Sequence, residues 1–270
     1  MIVDAHQHFW DPARADYPWM TDDVAALRRR FGPEDLAPLL REHGVAGTVL
    51  VQARGSLDET QGLLALADEA PFVLGVVGWV DLTDPEVPAV LAGFDGTLVG
   101  VRHQVHDEPD RRWLLREDVQ RGLAVVGAAG LVVDLLVRAR ELPAALETAR
   151  RHPEVQFVLD HVAKPPFRSG ELAVWADGVA ALAELPNVVC KLSGLFTEAD
   201  PGPALAPTVE QALGWFGPER CMFGSDWPVC LLATDYGGAL ELVRGSVPER
   251  DRAAVLAGTA IRTYCLQLPC

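Results

Sequence analysis

Apolar residues along the chain gather into eight short runs, at 2–8, 45–53, 72–80, 98–103, 131–137, 155–161, 187–194 and 220–226. Several are continuous Val, Leu and Ile stretches, which is the pattern of parallel strands covered on both faces. Helical stretches separate them, at 33–43, 56–70, 111–129, 141–152, 172–185, 203–216 and 236–244, and 248–264 closes the chain. Pro33 at a first-turn position and Gly44 after His43 bracket the first of these helices. Ser56-Leu57-Asp58-Glu59 is a capping box that opens the second. Between the third and fourth runs the pattern is weakest, with a short helix expected over 85–94. Strand followed by helix, eight times over, predicts an α/β fold of the (β/α)8 TIM barrel type. A doubly wound open sheet would need a Gly-rich phosphate loop after an early strand, and the chain has none. Without a linker, low-complexity tract or charge block, residues 1–270 are expected to form a single barrel domain.

The 270 residues are 49% hydrophobic and carry a net charge of −15, which argues against nucleic acid and anionic membrane as partners. An anionic substrate would need local Arg or Lys in its pocket. The cysteines at 190, 221, 230, 265 and 270 are odd in number and widely spaced, so neither a disulfide framework nor a thiolate zinc site is expected. Cys190 and Cys221 read as small buried hydrophobes. The first strand begins almost at Met1, so no signal peptide is expected. No apolar run reaches the roughly 20 residues that span a bilayer, so a cytoplasmic protein is expected.

Polar residues crowd the C-terminal ends of these apolar runs, where barrel active sites lie. The first run ends in His6-Gln7-His8, the second near Gln52, the fourth in Arg102-His103 and the sixth in Asp160-His161. The seventh carries Lys191 and Ser193, and the eighth ends in Ser225-Asp226-Trp227-Pro228. Strand alternation points His6 and His8 the same way, a wall able to hold a metal ion or grip a polar substrate. Alone, such a pair is also what a solvated strand terminus carries. A purely structural barrel has no need of so many polar groups at one end, and burying them is costly. Lys191 either reaches the pocket or pairs with an acid beneath it. His106, in the loop after the fourth strand, is expected to face solvent, and Lys164 is expected either there or at the pocket.

Five stretches in order, Val3-Asp4-Ala5-His6-Gln7-His8-Phe9-Trp10-Asp11-Pro12, Gly100-Val101-Arg102-His103, Leu159-Asp160-His161-Val162-Ala163-Lys164-Pro165, Cys190-Lys191-Leu192-Ser193-Gly194-Leu195 and Phe223-Gly224-Ser225-Asp226-Trp227-Pro228, resemble the amidohydrolase superfamily. Within it they look like the amidohydrolase-related (amidohydrolase 2) family, and most like its L-fuconolactonase and L-rhamnonolactonase type of sugar lactonase. The resemblance implies hydrolysis of an aldonolactone by base-activated water, acting on a small-molecule substrate. Asp226 is then the base, with His161 and His103 as further catalytic residues. Arg102, Gln52, Lys191, Trp10 and Trp227 would contact substrate. The aromatic-rich segment 9–32 would form a lid, with Trp10 and Trp19 either stacking on a sugar ring or anchoring the loop. His6, His8, His161 and Asp226 would hold one divalent metal, zinc first among candidates, in an enzyme type that also works without an obligatory metal. Neither the fourth nor the fifth strand carries the lysine that bridges two metals in other members, so a binuclear centre is not expected. The alternatives are a zinc-dependent decarboxylase of the same family and a non-catalytic sugar-acid-binding barrel. The C-terminal stretch 253–268 packs either on its own barrel or on a neighbour.

Overall fold

The strands form an eight-membered parallel sheet in strict chain order: β1 (Ile2–Gln7), β2 (Val45–Val51), β3 (Val73–Gly78), β4 (Leu98–His103), β5 (Val132–Leu135), β6 (Phe157–Leu159), β7 (Val188–Leu192) and β8 (Cys221–Phe223). The structure is a computed structural model and describes residues 1–94, 97–198 and 205–268. The first and last strands meet just beyond β8, where Gln7 bridges Trp227. There the Asp226 amide donates to His6 O at 2.8 Å and the His8 amide to Trp227 O at 2.7 Å. The result is a nearly closed (β/α)8 barrel, as the strand–helix alternation predicts.

Period-two alternation explains why the strands read as continuous apolar runs. Val49, Val51, Val158, Val189 and Met222 fill the barrel interior. Their neighbours, among them Leu159, Cys190, Cys221 and Phe223, pack outward against the helices. The helical layer comprises α1 (Pro33–His43), α2 (Leu57–Glu69), α3 (Val87–Ala92), α4 (Glu117–Ala128), α5 (Leu142–Arg151), α6 (Leu172–Ala183), α7 (Leu195–Glu198), α8 (Leu205–Phe216), α9 (Tyr236–Ser246) and α10 (Thr259–Thr263). No helix among the described residues is long and apolar enough to cross a membrane.

Several boundaries differ from the sequence reading. The helix expected over 111–129 begins only at Glu117, because Arg116 is extended (φ −62°, ψ 140°) after a 3-10 turn at Trp113–Leu115. The strand expected over 155–161 is cut to β6 by a left-handed turn that starts at His161. The segment 248–264 is a 3-10 turn, a π-helical turn (Ala254–Gly258) and α10 in succession. The start of the helix expected over 203–216, and Cys270, lie outside the described residues.

The chain's end packs on its own barrel. Ala257, Ala260, Tyr264 and Leu266 join the interior cluster. The Tyr264 hydroxyl donates to the buried Asp134 carboxylate at 2.8 and 3.0 Å from its two oxygens. Replacing Tyr264 by Phe is therefore expected to cost about 2 kcal/mol, the worth of a hydrogen bond to a charged group. The urea midpoint measures this, and an unchanged midpoint would show that the contact contributes nothing to stability.

Candidate active site

The mouth of the barrel is organised from β1 outward. Pairing register slips between Asp4 and Gln7, so the backbone is irregular just where the histidines begin. Asp4 holds this irregularity. Its carboxylate accepts from the amides of His6 (3.1 Å) and Ser225 (2.9 Å), from Ser225 Oγ (2.6 Å) and from the Tyr236 hydroxyl (3.0 Å). Burial nonetheless pushes its pKa up to about 6. The consequence is that His6 and His8 do converge, with their Nε2 atoms 3.1 Å apart. Gly224 permits the approach of β8: a Cβ there would lie 2.7 Å from His6 Cβ.

Two site residues sit on a left-handed backbone. His161, Val162, Ala163 and Lys164 have φ of 55°, 50°, 56° and 50°, and Asp226 has φ 57°. For side chains with a Cβ this conformation costs on the order of 1 kcal/mol each, and such strain gathers at functional positions. Local bonds hold it. The Lys164 amide donates to His161 O (2.8 Å), Trp175 Nε1 donates to Val162 O (2.7 Å), and His161 Nδ1 lies 2.8 Å from Ser193 Oγ. Gly194 (φ 63°) leaves room for this ring, since a Cβ would sit 2.5 Å from His161 Nδ1.

Beneath the histidines lies a layer of buried charge. Lys191 Nζ, fully inaccessible, reaches Asp134 (2.5 Å), Asp160 (3.1 Å) and His6 Nδ1 (3.1 Å). Arg102 Nη1 donates to Asp160 Oδ2 at 3.0 Å and lies 3.2 Å from His6 Nε2, while its Nη2 donates to Gln52 O. Two cations thus balance two acids. Burial would raise the Asp160 carboxyl, but Lys191, His6 and Arg102 outweigh this and hold it well below the usual range. Burial and Lys191 drive His6 well below its ordinary value, and burial pushes His161 down to about 4. Both rings are therefore neutral at neutral pH. Burial also acts to raise Asp226, but His161, His8 and His6 overcome it and hold its carboxyl below the usual range.

These residues fit a divalent cation. His6 Nε2, His8 Nε2 and Asp226 Oδ1 are separated by 3.1, 3.4 and 3.7 Å. Ligand atoms about 2.0–2.2 Å from a tetrahedral ion stand at similar separations. His8 Nδ1 donates to Val51 O (2.7 Å), which in the neutral ring leaves the Nε2 lone pair free. A cation between these atoms would compensate the buried charge of the Asp226 carboxylate. His161 belongs to a second group, with His6 and Asp160.

A cleft of about 160 Å³ opens above this layer, lined by His8, Arg102, His161 and Asp226, with Trp10 and Trp19 on one wall. Both tryptophans serve also as anchors: Trp10 Nε1 donates to Leu27 O (3.1 Å) and Trp19 Nε1 to Ala53 O (2.9 Å). Four residues assigned to the site from sequence stand elsewhere. His103 leaves the cleft: its Nε2 pairs with Glu108 (2.7 Å), its Nδ1 accepts from Trp79 Nε1 (3.1 Å), and its ring stacks on Trp113 at 4.1 Å. Trp227 is 2% exposed, with its ring edge-on to Phe9 and Phe31. Gln52 turns its amide onto Arg102 O (3.0 Å) and so fixes that residue from behind. Lys191 takes the deeper of its two expected positions, pairing with acids below the cleft. Conversely, His106 is not on the open surface. The turn Val105–Asp107 carries it into the cleft wall, and burial pushes its pKa down to about 3. Gln104 and Asp107 line the same wall. Their place directly after β4 was the available signal. Lys164 also lines the cleft, 3.0 Å from Glu198.

The sequence matches the amidohydrolase family over residues 3–266. It is 41% identical to an L-fucono-1,5-lactonase of Burkholderia ambifaria over 99% of this chain and 96% of that protein. A second L-fucono-1,5-lactonase, from Burkholderia multivorans, is 42% identical over 99% of this chain and 97% of its own length. A crystal structure of an amidohydrolase from Burkholderia multivorans with bound zinc superposes with a TM-score of 0.95 at 41% identity, covering 99% of this chain and all of that one.

Proposed function

The chain belongs to the amidohydrolase family, and from that premise we propose that it hydrolyses the ring ester of a sugar-acid lactone, with L-fucono-1,5-lactone the leading substrate. The observation that carries this reading is the convergence of the ionised Asp226 carboxylate with the imidazoles of His8 and His161 on one small cleft, and with that of His6 buried directly behind it. At about 160 Å³ the cleft is smaller than drug-sized pockets and suits a single sugar ring.

Ring opening needs an activated water, a polarised carbonyl and a proton for the departing alkoxide. Asp226 accepts the water's proton as oxygen attacks the carbonyl carbon, then returns it to the ring oxygen as the C–O bond breaks. A carboxylate held below its usual pKa is a weak base, so the site needs help with the water and with the oxyanion. Arg102, permanently charged and nearly buried, is the donor placed to stabilise negative charge on the carbonyl oxygen. A divalent ion held by His6, His8 and Asp226, with His161 beside them, would acidify the water and polarise the carbonyl. Zinc is the first candidate, given the zinc-bound relative. Ser193 fixes the His161 ring, and Val51 O fixes that of His8. Trp10 and Trp19 offer apolar faces to the C–H side of the sugar.

The test is proton release at constant pH with L-fucono-1,5-lactone, L-rhamnono-1,4-lactone and D-galactono-1,4-lactone. The reading expects kcat/KM of about 10⁴ M⁻¹s⁻¹ or more for its best lactone. Rates at the spontaneous level across the panel would refute it.

A further inference from the structure

Gln104, His106 and Asp107 form a wall of the catalytic cleft, on the loop that follows β4. Bonds to neighbouring segments hold this loop in place. Gln104 Nε2 donates to Ala53 O (3.1 Å) and the His106 amide to Leu136 O (3.1 Å). Arg140 Nη2 donates to the carbonyls of His106 (3.1 Å) and Glu108 (2.7 Å). The Glu108 side chain then turns back to His103, where its Oε1 lies 2.7 Å from Nε2. The loop is thus closed across its base: the residue that precedes the wall grips the residue that follows it.

The surroundings of His103 leave its ring one arrangement. Trp79 Nε1 can only donate, so His103 Nδ1 accepts in their 3.1 Å bond. The ring proton then sits on Nε2 and goes to Glu108. With both nitrogens committed, the imidazole has no lone pair for a metal or a proton and no hydrogen for substrate. The ring also lies flat on the buried Trp113, 4.1 Å away and within 7° of parallel. Strand alternation separates it from Arg102 next door. That guanidinium is held by Asp160 and Gln52 O, without help from His103.

We propose, resting on the lactonase reading, that His103 is a positioning residue for substrate: through Glu108 it holds the wall of Gln104, His106 and Asp107 against the sugar chain and takes no part in the chemistry. A loop released at Glu108 leaves Asp226, His8 and Arg102 where they are. Ground state and transition state then lose the same contacts, which raises KM and spares kcat.

Steady-state kinetics and amide hydrogen exchange on the whole protein test this together. His103→Phe keeps an aromatic ring on Trp113 and removes both hydrogen bonds. Glu108→Ala cuts the same link from its other side, at a side chain that is 27% exposed, and carries the test if His103→Phe does not fold. Each is expected to raise KM for the best lactone about tenfold, the affinity equivalent of one hydrogen bond, with kcat within about twofold of the parent. In each, the amides of 104–108 are expected to exchange faster while those of the barrel strands keep their protection. Glu108→Gln, whose amide oxygen accepts the same bond, is expected to behave as the parent in both measurements. An unchanged KM, a loss carried by kcat, or unchanged exchange at 104–108 overturns the proposal. A parent protein that turns over no lactone defeats the lactonase reading instead, and the exchange measurement, which needs no substrate, still decides whether His103 and Glu108 hold the wall.

Discussion

Replacing Asp226 by Asn is expected to lower kcat/KM for the lactone about 10³-fold, the range supplied by a positioned general base. The substitution is nearly isosteric. It removes the negative charge and the capacity to take a proton, and it leaves the shape of the cleft. It also suits the backbone, because Asn tolerates the left-handed region in which Asp226 sits at φ 57°. Stability should therefore change little while turnover collapses, and paired measurements of steady-state kinetics and thermal melting separate the two. Activity within a few-fold of the parent would remove Asp226 from the mechanism.

Lys191→Met should be among the most destabilising single substitutions in the barrel. The side chain is wholly buried and its ammonium is shared by Asp134 and Asp160. Methionine matches its length but leaves two carboxylates in the interior with only Arg102 nearby, a loss expected at about 3–5 kcal/mol. The pH dependence gives a sign to check. Asp134 is already raised by burial to about 6 with the lysine still lowering it, so without Lys191 it rises further. A carboxyl whose folded pKa lies above its unfolded value favours the folded state as pH falls. The deficit relative to the parent should thus be smaller at acid pH than above pH 7. Urea titrations at both ends decide it, and a deficit that grows towards acid pH would contradict the charge argument.

The same residues show how much of this could be read in advance. The barrel was legible because eight apolar runs alternate with helical stretches, and His6, His8, His161 and Asp226 stood out as polar groups ending apolar strands. What sequence could not convey was depth. Lys191 lies in β7 and Ser193 just past its end, yet a step of two positions takes the chain from a buried ion pair to the ring contact at His161. Strand parity carries part of this information. Adjacent strand residues face opposite sides, so with Arg102 pointing inward His103 belongs outside. Asp134 gave no signal of its role, because its partners Lys191 and Tyr264 are 57 and 130 positions away. His106 faces the cleft and not solvent because the loop's inward turn depends on the buried anchor Val105, a packing effect that composition does not reveal.

The most direct test of the central claim is a crystal structure with the ring-opened product, L-fuconate, bound. The account predicts its new carboxylate within hydrogen-bond reach of His8 and Arg102 and the hydroxyl released from the ring donating to Asp226, with the sugar chain between Trp19 and the wall formed by Gln104 and His106. Product density that lies outside this cleft, with the Asp226 carboxylate and the imidazoles untouched, would contradict it.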